Sequence, residues 1–180
     1  KQALMVIATD DDGTVKAVQR VFVTVDGQKD LTAKNVKQTD GVTEGTAVKL
    51  PARKKFPNEP LYLCEGPETG LSVWQVSEAE TWIALGSISK LADYVPLNRK
   101  VIVARDGDEE GSPADVALNK AIEIMVARGV DVSVATPPDG KDFNDILQER
   151  GADSVSRILA NAKRHEAVLL PSLYKAPSLN

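Results

Sequence analysis

From residue 61 to about residue 165, short apolar runs alternate with amphipathic stretches, and this alternation narrows the possible folds more than any other feature. Leu61-Tyr62-Leu63-Cys64, residues 81–85, Val101-Ile102-Val103-Ala104 and residues 130–135 read as strands. Val101-Ile102-Val103-Ala104 is apolar at every position, the composition of a strand buried on both faces. Helices are expected at about 67–76, in a short piece after Gly86-Ser87, and at about 142–149 and 153–165. The helix that follows Ser112 is the best marked. Ser112 can cap it, Pro113 fits its first position, and Asp115 stands three residues after the cap. Ala114, Ala117, Leu118, Ala121, Ile122 and Met125 form one apolar face, and Arg128-Gly129 ends the helix with a residue suited to the left-handed cap. Strands alternating with helices predict an α/β fold, a largely parallel sheet covered by helices on both faces.

The front of the chain is different. Leu4-Met5-Val6-Ile7-Ala8 and residues 15–25 are strand-like and flank Asp10-Asp11-Asp12-Gly13, so a hairpin is expected there. Three adjacent aspartates look like metal ligands, but the chemistry of a polar turn accounts for them equally well and is the reading adopted. Residues 26–60 show little periodicity. Arg53, Lys54 and Lys55, followed by Pro57 and Pro60, make a basic connector that reads either as a solvated linker or as a contact for a phosphate backbone or triphosphate. Residues 1–60 are thus expected to be a β-rich subdomain with a basic connector, 61–165 the α/β domain, and 166–180, with Pro171 and Pro177, an extended tail. Because the chain opens on Lys1, it is expected to be a piece of a longer polypeptide.

Several function classes are set aside by composition. Among 180 residues a single cysteine, Cys64, rules out an internal disulfide and a cysteine-based zinc site. No apolar run approaches the ~20 residues of a membrane helix, and no signal-peptide pattern opens the chain, so a reducing cytoplasm is expected. A net charge of −4 argues against a general nucleic-acid coat. The charge is uneven: residues 1–60 carry 10 Lys/Arg against 8 Asp/Glu, and residues 61–180 carry 12 against 18. A near-neutral front with an acidic body suits a chain that handles phosphates through bound metal ions. The lone His165 reads as a surface cap at a helix end, Cys64 as core, and Trp74 and Trp82 as packing rather than base-stacking residues. Gly86-Ser87-Ile88-Ser89-Lys90 lacks the spacing of a Walker phosphate loop.

The informative residues are carboxylates at the ends of expected strands: Glu65, Asp106 and Asp108. Ligand sites of open parallel sheets form at the carboxyl ends of the strands. Asp106-Gly107-Asp108 in an extended loop turns both carboxylates to one side, and Gly107 lets the backbone bend closely around an ion. Such hard oxygen donors suit Mg²⁺, which keeps several waters and bridges to phosphates.

A strand followed by Glu65-Gly66, a strand followed by Asp106-Gly107-Asp108, and Lys141-Asp142 after a further strand resemble, in that order, the motifs of the Toprim domain. This metal-binding catalytic fold is shared by bacterial and phage primases, topoisomerases and some nucleases. Leu63-Cys64-Glu65-Gly66-Pro67-Glu68-Thr69, Val103-Ala104-Arg105-Asp106-Gly107-Asp108 and Gly140-Lys141-Asp142-Phe143-Asn144-Asp145 carry the likeness, which covers roughly residues 61–160. The variant is similar to Toprim domains of phage- and plasmid-borne primases. The hairpin, Arg20 and the basic stretch before residue 61 are similar to the small subdomain that precedes Toprim in bacterial primase cores.

The resemblance implies a Rossmann-like parallel sheet flanked by helices and preceded by a small β-rich subdomain. It implies a DNA primase: Mg²⁺-dependent nucleotidyl transfer, with Mn²⁺ as a substitute, making primers on single-stranded DNA from nucleoside triphosphates during replication of a mobile element in a bacterial cytoplasm. Glu65 would be a general acid/base or metal-organising group, and Asp106, Asp108 and Asp142 would bind one or two ions. Lys141, Arg105, Arg53, Lys54 and Lys55 are expected at the triphosphate or template. A helicase or zinc-binding module would lie elsewhere in a longer chain or on a partner. Alternatives within the same resemblance are a Toprim nuclease or nickase and a DNA-binding module without activity. The chain departs from bacterial primases where they carry an aspartate four residues after the glutamate: Thr69 stands there, and Glu68, one position earlier, would face differently. Asn144 stands where an aspartate is common, as a partner for bound water.

Overall fold

The computed structural model describes residues 2–54, 58–107 and 109–165. Two sheets organise it. The first is built on the expected hairpin, β1 (Gln2–Thr9) and β2 (Val15–Val23), paired antiparallel with Ala8 opposite Ala17. Asp10 makes the turn: its Oδ1 accepts from the backbone N–H groups of Asp12 at 3.1 Å and Thr14 at 2.9 Å. Asp11 pairs with Lys49 at 2.8 Å. Both roles are structural, as turn chemistry predicts.

The third strand of this sheet, β3 (Lys37–Gly41), arises from the segment expected to be aperiodic. Its sequence, Lys-Gln-Thr-Asp-Gly, has no apolar alternation because it is an exposed edge strand with no face to bury. Backbone pairing to β2 defines it, helped by Gln19 bonding Thr39 at 2.9 Å and Arg20 bonding Asp40 at 2.6 Å. A second unexpected strand, β4 (Val48–Leu50), joins the edge of the larger sheet.

That larger sheet adds β5 (Leu61–Cys64), β6 (Thr81–Ile83), β7 (Lys100–Ala104), β8 (Asp131–Ala135) and β9 (Lys163–Arg164), in the order β4-β6-β5-β7-β8-β9. The four central strands run parallel, and β4 and β9 close the two edges antiparallel. Successive strand residues point to opposite faces. Leu61, Leu63, Val101 and Val103 therefore pack on one side with α2 (Pro113–Ala127), while Tyr62, Cys64, Ile102 and Ala104 pack on the other with α1 (Pro67–Ser77), α3 (Phe143–Arg150) and α4 (Ala152–Ala160). Both faces are dry, which explains the unbroken apolar runs. The Ser112 cap forms as expected, its hydroxyl accepting from the N–H of Asp115 at 3.2 Å, and Gly129 takes the positive φ of 90° that lets the chain leave α2.

A third apolar cluster joins the two sheets. Val6, Ala8 and Ala17 of the hairpin pack against Val48, Ile83 and Leu85, and Thr9 bonds Ala47 in both directions at 2.9 and 3.1 Å. The last expected helix is shorter than its pattern implies. It ends at Ala160, where the N–H of Asn161 bonds the Arg157 carbonyl, and the chain turns into β9. His165 accordingly follows a strand, its N–H donating to Val132 at 2.9 Å, and does not cap a helix. Among the described residues no helix is long and apolar enough to cross a membrane.

Leu63 is fully buried in the middle of the parallel sheet. Leu63→Ala should lower the unfolding free energy by about 2–5 kcal/mol. Met5→Ala, on the exposed face of β1, should change it by less than about 0.5 kcal/mol. Urea titrations of the two variants measure both values.

Candidate functional site

Parallel pairing sets β5 and β7 level, with Cys64 opposite Ala104, so the residues that follow leave the sheet together at its carboxyl edge. Glu65 is the first residue past β5, and Asp106 the second past β7; both are half-buried. The backbones leaving β5 and β7 are tied to the chain at or just past the ends of the neighbouring strands. The Glu65 carbonyl accepts from Gly86 at 3.3 Å, and the Arg105 N–H donates to Ala135 at 3.0 Å.

The Asp106 carboxylate is held from α1. Thr69 Oγ1 donates to Asp106 Oδ1 at 2.5 Å, and Thr69 is itself only 2% exposed. Gly107 then brings two loops into backbone contact. A Cβ there would lie 2.2 Å from the carbonyl carbon of Gly140 and 2.6 Å from the Lys141 nitrogen, a space no side chain can occupy. The loop after β7 is thereby pressed against the loop after β8, which carries Lys141 and Asp142. Asp142 caps α3: its Oδ1 accepts from the Asp145 N–H at 2.7 Å, and Asp145 returns the bond to the Asp142 N–H at 3.4 Å. Asn144 accepts from the Ser72 hydroxyl at 3.4 Å.

Glu65, Asp106 and Asp142 thus stand on three neighbouring loops at one sheet edge. Asp108 lies outside the described residues. Among the described residues no three His, Cys, Asp or Glu side chains converge closely enough to hold an ion.

The basic residues divide into two places. Near the acidic edge, Lys141 pairs with Glu149 at 2.6 Å. Arg105 pairs with Asp115, a nearly buried carboxylate that also accepts from Gly111 N–H at 2.7 Å and Asn119 at 3.0 Å. Arg53 and Lys54 are at the other end of α1, about 16 Å along the helix from its start by helical rise. There the Arg53 guanidinium lies 4.0 Å from the centre of the Trp74 ring, and Lys54 pairs with Glu78. Lys55 lies outside the described residues. Trp82 is nearly buried with Lys49 4.6 Å above its ring, and Trp74 donates to the Pro51 carbonyl at 2.7 Å, so both indoles are packed.

Sequence patterns do not reveal the residues that tie the front sheet to this edge. Glu68, in the first turn of α1, meets Lys37 at 2.9 Å and Lys29 at 3.2 Å. Burial alone would raise its pKa, but the Lys37 hydrogen bond, a backbone hydrogen bond and the charges of both lysines outweigh burial and hold the carboxyl below its ordinary value. A cleft of about 570 Å³ opens beside this pair, with Lys29, Glu68, Ser72, Asp142, Asn144 and Asp145 in its wall. The only hint in the sequence is that Glu68 and Thr69 depart from the expected motif. Cys64 is fully buried, and burial first, then the charge of Asp106, pushes its thiol well above the ordinary range, as an inert core cysteine requires.

Known proteins share this fold. Residues 60–153, more than half of the chain, match the family model described as the Toprim domain, and the chain belongs to that family. Three solved structures are similar in fold. The Aquifex aeolicus primase, its zinc-binding and RNA polymerase domains, is 19% identical over 91% of this chain and 41% of its own, with a TM-score of 0.62. The DnaG primase catalytic domain bound to ssDNA is 15% identical over 90% of this chain and 52% of its own, with a TM-score of 0.65. The E. coli primase catalytic core is 18% identical over 90% and 53%, with a TM-score of 0.64. The chain therefore spans about half the length of the structures it matches. No curated protein matches it in sequence.

Because the folded pKa of Glu68 is depressed, its ionisation favours the folded state above the ordinary carboxylate range. That contribution is lost as pH falls through the lowered value. Glu68→Gln should be less stable than wild type at pH 6–7, with the difference shrinking as pH drops below the ordinary glutamate pKa of about 4.3. Thermal melts of the two proteins across pH 3–7 check this.

Proposed function

We propose that this chain is the Toprim catalytic part of a DNA primase that joins nucleotides on single-stranded DNA in mobile-element replication. The observation that carries the proposal is the three-stranded front sheet packed on the Toprim sheet. The likeness to primase cores extends over 90–91% of the chain and so reaches well beyond the Toprim residues 60–153. The motif variant at Glu65, Glu68, Thr69 and Gly140 to Asp145, similar to phage- and plasmid-borne primases, supports the mobile-element setting.

Glu65, Asp106 and Asp142 offer only carboxylate oxygen, the ligand class of Mg²⁺ and of Mn²⁺ in its place, and Asp108 would add a fourth of the same kind. The chemistry of these donors suits such an ion, and together with Asp108 these are the residues that would hold it. When bound, the ion supplies charge neutralisation for the reacting phosphates, which phosphoryl transfer needs more than a protein nucleophile. The protein's own groups do the rest. Glu65 takes the proton of the attacking 3′-hydroxyl as its oxygen bonds to the α-phosphorus. The bond from that phosphorus to the bridging oxygen breaks, and pyrophosphate leaves. The Gly107 contact keeps the Asp106 loop in place during this exchange. Lys141 and Arg105 exchange Glu149 and Asp115 for triphosphate oxygens. Arg53 and Lys54, at the far end of α1, engage template phosphates away from the reacting end, together with Lys55, the next residue in sequence. A helicase or zinc-binding module would be supplied by a longer chain or a partner.

Labelled single-stranded DNA, all nucleotides and Mg²⁺ or Mn²⁺ on a denaturing gel test the proposal, with Asp106→Asn and Asp108→Asn beside wild type. New short oligomers, reduced at least 100-fold in both variants, are expected. Shortened template that vanishes in the variants would instead make the chain a nuclease or nickase, and binding without turnover at any metal concentration would make it a DNA-handling module.

A further inference from the structure

We infer that Thr69 is a positioning residue of the metal site, acting through Asp106. The inference rests on the metal-binding reading of Asp106 given above and extends it to a side chain which that reading does not use.

Three observations carry it. Thr69 Oγ1 donates to Asp106 Oδ1 at 2.5 Å, so one oxygen of the carboxylate is committed to a neutral donor. Thr69 is 2% exposed in the first turn of α1, where water cannot substitute for the hydroxyl. Glu68, the adjacent carboxylate, is engaged by the front of the chain, with Lys37 at 2.9 Å and Lys29 at 3.2 Å.

A carboxylate on an extended loop can rotate, and each rotamer presents a different oxygen edge. The Thr69 bond favours the orientation in which Oδ1 meets α1 and leaves Oδ2 outside that bond. A hydroxyl accomplishes this without adding negative charge beside Glu65 and Asp106. Hydrogen bonds of this kind to ligating carboxylates typically alter metal affinity by about 10- to 100-fold. The chemistry of the position also predicts which replacements work. Serine keeps the donor. Valine keeps the volume and removes the donor, and alanine removes both.

Mn²⁺ titration followed by electron paramagnetic resonance, with no nucleotide or DNA present, measures the affinity directly. Thr69→Val should weaken Mn²⁺ binding about tenfold or more, and Thr69→Ser should restore it to within about threefold of wild type. In an Asp106→Asn background, Thr69→Val should add nothing, as a residue acting only through Asp106 requires. Wild-type affinity in Thr69→Val overturns the inference, as does equal weakening in the serine and valine variants or an undiminished effect without Asp106. If valine does not fold, Thr69→Ala takes its place against serine with the same expectations. Should Asp106→Asn itself leave Mn²⁺ affinity unchanged, the metal reading of Asp106 falls and takes this inference with it. An effect of Asp106→Asn without one of Thr69→Val removes the inference alone.

Discussion

The register of β5 against β7 is the constraint from which the rest of the carboxyl edge follows. Cys64 opposite Ala104 brings both strands to an end at the same level, and the parallel direction sends both chains out on the same side. An antiparallel pair would have put Glu65 and Asp106 at opposite ends. A slip of one residue would have turned every side chain to the other face and placed Leu63 among the partners of Cys64. The two dry clusters, one on α2 and one on α1, α3 and α4, are what make such a slip costly. The core therefore maintains the site without contributing an atom to its chemistry.

Beyond the sheet, two short contacts determine how the loops lie. Gly107 permits backbone contact between the loops after β7 and β8, since any Cβ would collide with Gly140. Thr69 reaches from α1 to the Asp106 carboxylate. The front sheet is held differently. Small apolar residues, Ala8 and Ala17 among them, pack against Ile83 and Val48, while Lys29 and Lys37 meet Glu68 at the start of α1. One end of that contact is apolar and insensitive to pH. The other is ionic and is weakened by acid, and it lies beside the cleft that Asp142 also lines.

Much of this was legible in the residues. Val101-Ile102-Val103-Ala104 could only be a strand dry on both faces, and Ser112-Pro113 with Asp115 could only begin a helix. The run 153–165 was misleading because helical periodicity continues past Ala160, whereas the chain exchanges helix for a strand pairing with β8 that no local signal announces. The strand Lys37–Gly41 was invisible for the opposite reason. It buries almost nothing, so its sequence records no pattern, and its structure comes from the hydrogen bonds β2 offers. At the site, Glu65, Asp106 and Asp142 announce themselves by their position after strands, but Thr69 is an ordinary helical residue until its partner, 37 residues away, is in place.

The sequence by itself determined the front hairpin, the order of the four central strands and the helices between them, the caps of α2, and the acidic residues at the strand ends, because these depend on local periodicity and on the backbone preferences of a few residues. Only the tertiary structure decided which carboxylates share an edge, that Arg53 stacks on Trp74 at the far end of α1, and that Glu68 turns to two lysines while Thr69 turns to Asp106. Those choices are made by contacts between segments distant in the chain. Their energies depend on distance, burial and the company of other charges, none of which exists until the sheet has closed around its core.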